Sequence, residues 1–117
     1  MTDKQVATEP NDLGRYFLER VNGGDLDGLV ALYEPDAVLE FPSGTFVTGH
    51  AEIRKVFEQL IAAAPVLERG RQHPALVNGD LALTATTSTT GSVSVEVARR
   101  QPDGSWLWAV DRPMLVS

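Results

Sequence analysis

LALTATTSTTGSVSVEVARRQPDGSWLWAVDRPM, residues 81–114, decides the fold class. Val93, Val95 and Val97 alternate with Ser94 and Glu96, and Leu81, Leu83 and Ala85 alternate with small or hydroxyl residues, which is the period of a strand with one face buried. Thr90-Gly91 and Pro102-Asp103-Gly104 interrupt the run with turn chemistry, giving expected strands at 81–89, 92–100 and 106–114. A further strand is expected at 75–77, ahead of the turn Asn78-Gly79-Asp80. Turns this short leave the four strands only one arrangement, as antiparallel neighbours.

Upstream of this meander the period is that of a helix. Leu13, Phe17 and Val21 recur every four residues, with Tyr16 and Leu18 widening the stripe, until Asn22-Gly23-Gly24 stops it. Asp25 is the expected cap of a second helix in which Leu26, Leu29, Val30 and Tyr33 follow the i, i+3, i+4, i+7 rule, with Pro35 just past its end. Two short β-prone runs, 37–41 and 45–48, flank Pro42-Ser43-Gly44. After Gly49, residues Ile53, Val56, Phe57, Leu60, Ile61 and Ala64 mark a third amphipathic helix, ended by Pro65. Early helices and late strands indicate an α+β domain, its curved antiparallel sheet packed on one face against three N-terminal helices.

The chain has 117 residues, enough for one core, so residues 1–10 are expected to be a flexible lead-in and 11–117 a single domain. The formal charge of −6, with no Lys/Arg cluster or basic stripe beyond adjacent pairs such as Arg99-Arg100, argues against nucleic acid. There is no cysteine, which removes disulfides, thiolate metal sites and cysteine nucleophiles and suits a cytoplasmic location. No stretch of the sequence approaches the roughly 20 apolar residues of a membrane span. No phosphate-binding loop, dinucleotide fingerprint or zinc-ligand spacing appears, so neither cofactor nor metal is expected.

Four segments carry a family resemblance: residues 22–29 (NGGDLDGL), 32–38 (LYEPDAV), 49–54 (GHAEIR) and 102–106 (PDGSW). In this order and spacing they resemble the nuclear transport factor 2-like superfamily, with its ketosteroid isomerases and SnoaL-like polyketide cyclases. The resemblance implies a cone of bent sheet and three helices with a pocket inside, usually in a homodimer. It says less about chemistry, because that fold hosts isomerases, cyclases, dehydratases, epoxide hydrolases and binding domains. Against the isomerases, Phe41 stands where the catalytic Asp would be and Phe17 where the oxyanion-hole Tyr would be, whereas Glu96 takes the position of the oxyanion-hole acid. Glu40, one residue from Phe41, is expected on the opposite face of its strand, away from the cavity that Phe41 enters. Ketosteroid isomerase activity is therefore not expected.

If the last hairpin closes on Asp103-Gly104, Gln101 pairs with Trp106, Arg99 with Trp108, Val97 with Val110, and Glu96 with Asp111. Glu96 and Asp111 then lie side by side, Cβ atoms about 5 Å apart, as a carboxyl pair able to supply both an acid and a base. A longer loop or a bulge would shift that register. The same pairing puts Val93, Val95, Val97, Trp106, Trp108 and Val110 together on the outer face, an expected homodimer surface, the alternative being that the tryptophans line a ligand site. Of the hydroxyl run from Thr84 to Thr90, only the alternating half can face a ligand. His50 is read as a capping or surface residue, and His73, before Pro74, as a strand-end histidine within reach of the pocket mouth.

The expected function is binding of a small hydrophobic molecule, polyketide- or steroid-like, with Phe17, Tyr33, Leu39, Phe41 and Phe57 as apolar wall and Tyr16, His73, Glu96 and Asp111 as polar groups. The alternatives are an acid/base isomerase, cyclase or dehydratase using Glu96 and Asp111, and a non-catalytic dimeric interaction domain.

Overall fold

The computed structural model describes residues 5–116. Among them are three helices, α1 (Asp12–Asn22), α2 (Leu26–Val30) and α3 (His50–Ala62), and seven strands: β1 (Tyr33–Glu40), β2 (Phe46–Thr48), β3 (Arg71–Gln72), β4 (Leu76–Asn78), β5 (Leu81–Thr87), β6 (Val93–Arg100) and β7 (Trp106–Val116). The strands form one curved sheet in the order β2-β1-β7-β6-β5-β3, with β4 also paired to β5, and the helices cover its concave face. This is the expected α+β architecture. Every pairing is antiparallel except β1 with β7, which makes the sheet mixed. None of the described helices is long and apolar enough to cross a membrane.

The helices form where the sequence places apolar stripes. Leu13 of α1, Leu29 of α2 and Ile53 of α3 have no exposed surface and meet in the core with Leu39 and Tyr33 of β1. Asp25 caps α2, its carboxylate accepting the Gly28 N–H at 3.0 Å. The helix ends sooner than its periodicity predicts. Tyr33 opens β1 instead, opposite Trp108, and the Trp108 N–H donates to the Leu32 carbonyl at 2.9 Å. Pro35 disfavours helical backbone at Glu34, and pairing with β7 satisfies the backbone that a longer helix would have used. The short strand β3 was not foreseen, and β4 begins and ends one residue later than 75–77.

The last hairpin corrects the expected register in two respects: its loop is residues 102–104, closed by the Gln101 N–H on the Ser105 carbonyl at 2.7 Å, and a bulge follows. Glu96 pairs with Asp111 and Val97 with Val110, but Ala98 then pairs with Trp108, Arg99 with Leu107 and Arg100 with Trp106. Ala109 is therefore an unpaired bulge residue. It reverses the alternation of β7, so Trp106 and Trp108 enter the core, 5% and 4% exposed, rather than joining the outer face. Of the expected lead-in, residues 1–4 lie outside the described residues. Ala7 is buried and bridges Trp106, accepting its N–H at 2.9 Å.

Candidate functional site

A cavity of about 700 Å³ lies between α1, the segment of residues 66–72 and the concave face of β5, β6 and β7. Phe17, Leu18, Leu67, Trp108 and Met114 give it apolar walls. Phe17 is held edge-on between Phe57 at 5.9 Å and Trp108 at 6.0 Å between ring centres. The wall facing α1 is fixed by Asn22, which donates to the Leu67 carbonyl at 3.0 Å and accepts the Leu67 N–H at 2.8 Å. Gly70 carries this segment past β5, where a Cβ would come within 2.4 Å of the Thr87 carbonyl oxygen, so a larger residue would push the wall away.

Glu96 and Asp111 border the cavity as directly paired residues of β6 and β7, 7% and 5% exposed. Each carboxylate has its own donor: the Thr84 hydroxyl reaches Glu96 Oε1 at 2.7 Å, and the Tyr33 hydroxyl reaches Asp111 Oδ2 at 2.5 Å. Burial pushes Asp111 up to about 8, and the charge of Glu96 adds to it against the opposing Tyr33 hydrogen bond. Burial also raises Glu96, while hydrogen bonds from Thr84 and Ser94 pull it back. Tyr33 is itself held well above the usual phenol range, first by burial and then by the Asp111 carboxylate. Two buried carboxyls in this relation hold one proton between them near neutral pH. Glu96, with two hydroxyl donors, is the better seat for the charge, and Asp111 for the proton.

Of the other residues read from sequence, Phe17 borders the cavity, and Tyr33 lies beneath it as the partner of Asp111. Leu39 and Phe57 belong to the core behind the cavity, 1% and 4% exposed. Tyr16 is buried outside the cavity, with the Arg15 and Arg20 guanidinium carbons 4.8 and 5.2 Å from its ring centre. Phe41 does not enter the cavity; it follows β1 with 40% of its surface exposed. Glu40 points to the outer face, 3.1 Å from Arg112. His73 is not part of the cavity wall and contacts the Thr87 hydroxyl at 2.8 Å, while His50 Nε2 lies 2.7 Å from the Tyr33 carbonyl.

Three contributors were missed in the sequence. Thr84 is the cross-strand partner of Glu96, and Ser94 the residue two before it, so both follow from alternation once Glu96 is singled out. Trp108 was placed on the wrong face by the bulge. Its indole N–H is buried without an acceptor among the described residues.

Comparison with known proteins agrees with this architecture. A ketosteroid isomerase-like protein from Erwinia carotovora superposes with a TM-score of 0.67 at 19% identity, over 87% of this chain and 89% of that one. A nuclear transport factor 2-like protein from Shewanella oneidensis gives 0.70 at 18% identity, over 89% and 98%. Likeness at these identities concerns the fold. Among curated proteins, the epoxide hydrolase LasB of Streptomyces lasalocidi is 34% identical over 98 residues, 83% of this chain. That stretch is 32% of LasB, so the chain spans about a third of its relative. The model of the SnoaL-like domain matches residues 14–112, and with helices, sheet and cavity in the arrangement described, the chain belongs to the SnoaL-like domain family.

Proposed function

We propose that this domain binds a small, largely apolar organic molecule in the concave cavity and carries out acid/base chemistry on one of its oxygens, with epoxide opening as the reaction to test first. The observation that carries this reading is the buried Glu96 and Asp111 pair, directly opposed on β6 and β7 at a mostly apolar cavity, where burial pushes Asp111 up to about 8. Asp111 donates a proton to the epoxide oxygen as its C–O bond breaks. Glu96 accepts a proton from the attacking water or hydroxyl as the new C–O bond forms. One proton leaves the pair and one returns, so turnover ends with the roles exchanged, and transfer between neighbours restores the start. The likeness to an epoxide hydrolase supports this choice among acid/base reactions. Steroid isomerisation lacks support, because Phe41 is outside the cavity and Phe17 offers no proton.

The test is incubation with a panel of hydrophobic epoxides, reading diol or cyclic ether by mass spectrometry. Glu96→Gln and Asp111→Asn, each with native circular dichroism, are expected to slow product formation by about 100-fold or more. A panel without turnover, or turnover indifferent to both substitutions, refutes the reading.

A homodimer through the outer sheet face is part of the proposal. Leu76, Leu83, Val97, Val110 and Val38 are cross-strand neighbours in one row over five strands, and Leu76, Leu83 and Val110 are exposed. An apolar row of this extent supports burial against a second copy.

A further inference from the structure

One wall of the cavity is unlike the rest. On the concave face of β5 and β6, the pair Thr84 and Glu96 is followed by Thr86 and Ser94, and then by Ser88 and Ser92 at the hairpin end. All but Thr84 border the cavity, and Thr84 is buried beneath it. These are three polar rungs in succession, each one i to i+2 step from the last, or roughly 7 Å along the strand. A wall meant only for hydrocarbon would carry valine or leucine at these positions, as the outward half of β6 does with Val93, Val95 and Val97.

The three rungs differ in what their hydroxyls already do. Thr84 is committed to Glu96, and Ser88 and Ser92 bond each other at 2.7 Å. In the middle rung Ser94 donates to Glu96 and keeps its acceptor capacity. The Thr86 hydroxyl takes part in no hydrogen bond among the described residues, although its side chain is half-buried at the cavity. A hydroxyl left in this state beside a cavity fits a ligand that brings its own oxygen.

We propose that Thr86 and Ser94 form a second polar subsite, which selects substrates carrying another oxygen about 7 Å from the one held at Glu96 and Asp111. This rests on the acid/base reading of the cavity given above. The substrate class is thereby narrowed from apolar molecules with one oxygen function to molecules with two, set one rung apart, whose hydrocarbon edge lies against Phe17 and Leu67.

Two rigid probes test it, 2-naphthol and 2,7-dihydroxynaphthalene, the second having its oxygens about one rung apart. Affinities are measured by calorimetric titration of the wild type, Thr86→Val and Thr87→Val, the last altering the outward half of the same strand. The dihydroxy probe is expected to bind the wild type about 10-fold more tightly than 2-naphthol, a ratio expected for one added hydrogen-bonded hydroxyl. Thr86→Val should reduce the ratio to within about twofold, and Thr87→Val should preserve it. Equal affinities in the wild type, or a ratio that survives Thr86→Val, overturn the second subsite and leave the acid/base reading standing. Binding of neither probe overturns both.

Discussion

Asp111 stands where a charged carboxylate is least tolerated, buried beside Glu96 with the Tyr33 hydroxyl as donor. The pH dependence of stability follows from that placement. In the unfolded chain this group titrates near 3.8, in the folded protein near 8. Between those values the folded state holds a proton that the unfolded state has released, so rising pH favours unfolding. The contribution is complete below about pH 4 and is lost as pH climbs through 8. Glu96, also raised, acts in the same direction. Asp111→Asn keeps the shape and cannot ionise. Its melting temperature is therefore expected to be flatter than the wild type's between pH 5 and pH 8, and higher at pH 8 by about 5 °C. Thermal denaturation across this range decides it, and a wild-type curve as flat as the variant's would count against a shared proton. The pairing of Glu96 with Asp111 matches the expectation through two offsetting departures: the loop spans residues 102–104 rather than 103–104, which moves the register by one, and the bulge at Ala109 moves it back. The donors Tyr33 and Thr84 were not assigned to them, because no local pattern says which hydroxyl meets which acid across the fold.

At the scale of elements, the first half of β7 depends on the extra residue Ala109; a second shift lies farther along, between the Val95–Arg112 and Val93–Val116 pairs. Trp106 and Trp108 have even positions and Asp111 an odd one, so a regular strand cannot send all three inward. The bulge at Ala109 resolves this, and the parallel neighbour β1 shifts its own register between Tyr33 and Val38, around Pro35. Deleting Ala109 would force a choice between burying the tryptophans and burying Asp111. The expected outcome is a loss of more than about 3 kcal/mol in urea unfolding, the range for removing large aromatic side chains from a core. A deletion variant of native stability would show that the bulge is incidental. The bulge also marks where sequence reading ended. Alternation reports the period of β7 but not an inserted residue, since Trp-Leu-Trp-Ala-Val reads as a regular strand on either face. Tyr33 is a parallel case: its side chain goes to the core whether the backbone is helix or strand, so periodicity could not distinguish them, and pairing with β7 decided. Long, uniform segments, α1, α3, β5 and β6, were readable because nothing in the tertiary structure competes with their local pattern.

At the scale of the whole molecule, the two faces of the sheet have opposite characters, and the bulge separates them. Inward lie the carboxyl pair, the hydroxyl rungs and the two tryptophans; outward lies the aliphatic row from Leu76 to Val38, of which Leu83, Val97, Val110 and Val38 line a shallow groove of about 450 Å³ that Phe46 also borders. Moving the tryptophans inward makes the outer apolar surface smaller than the sequence suggested, and leaves it aliphatic at its centre. A two-fold interface sets the same surface of two copies against each other, and an apolar row that crosses five strands has the extent for it. Light scattering coupled to size exclusion is therefore expected to give the mass of two chains for the wild type at micromolar concentration. Val97→Asp, at the centre of the row, should give the mass of one, because a carboxylate meets its own symmetry mate or an aliphatic neighbour across the contact. Arg71→Glu, at the far edge of β5, changes charge without touching the row and should leave the assembly intact. A wild type eluting as a single chain, or a Val97→Asp variant that still pairs, would show that this face serves another purpose than self-association.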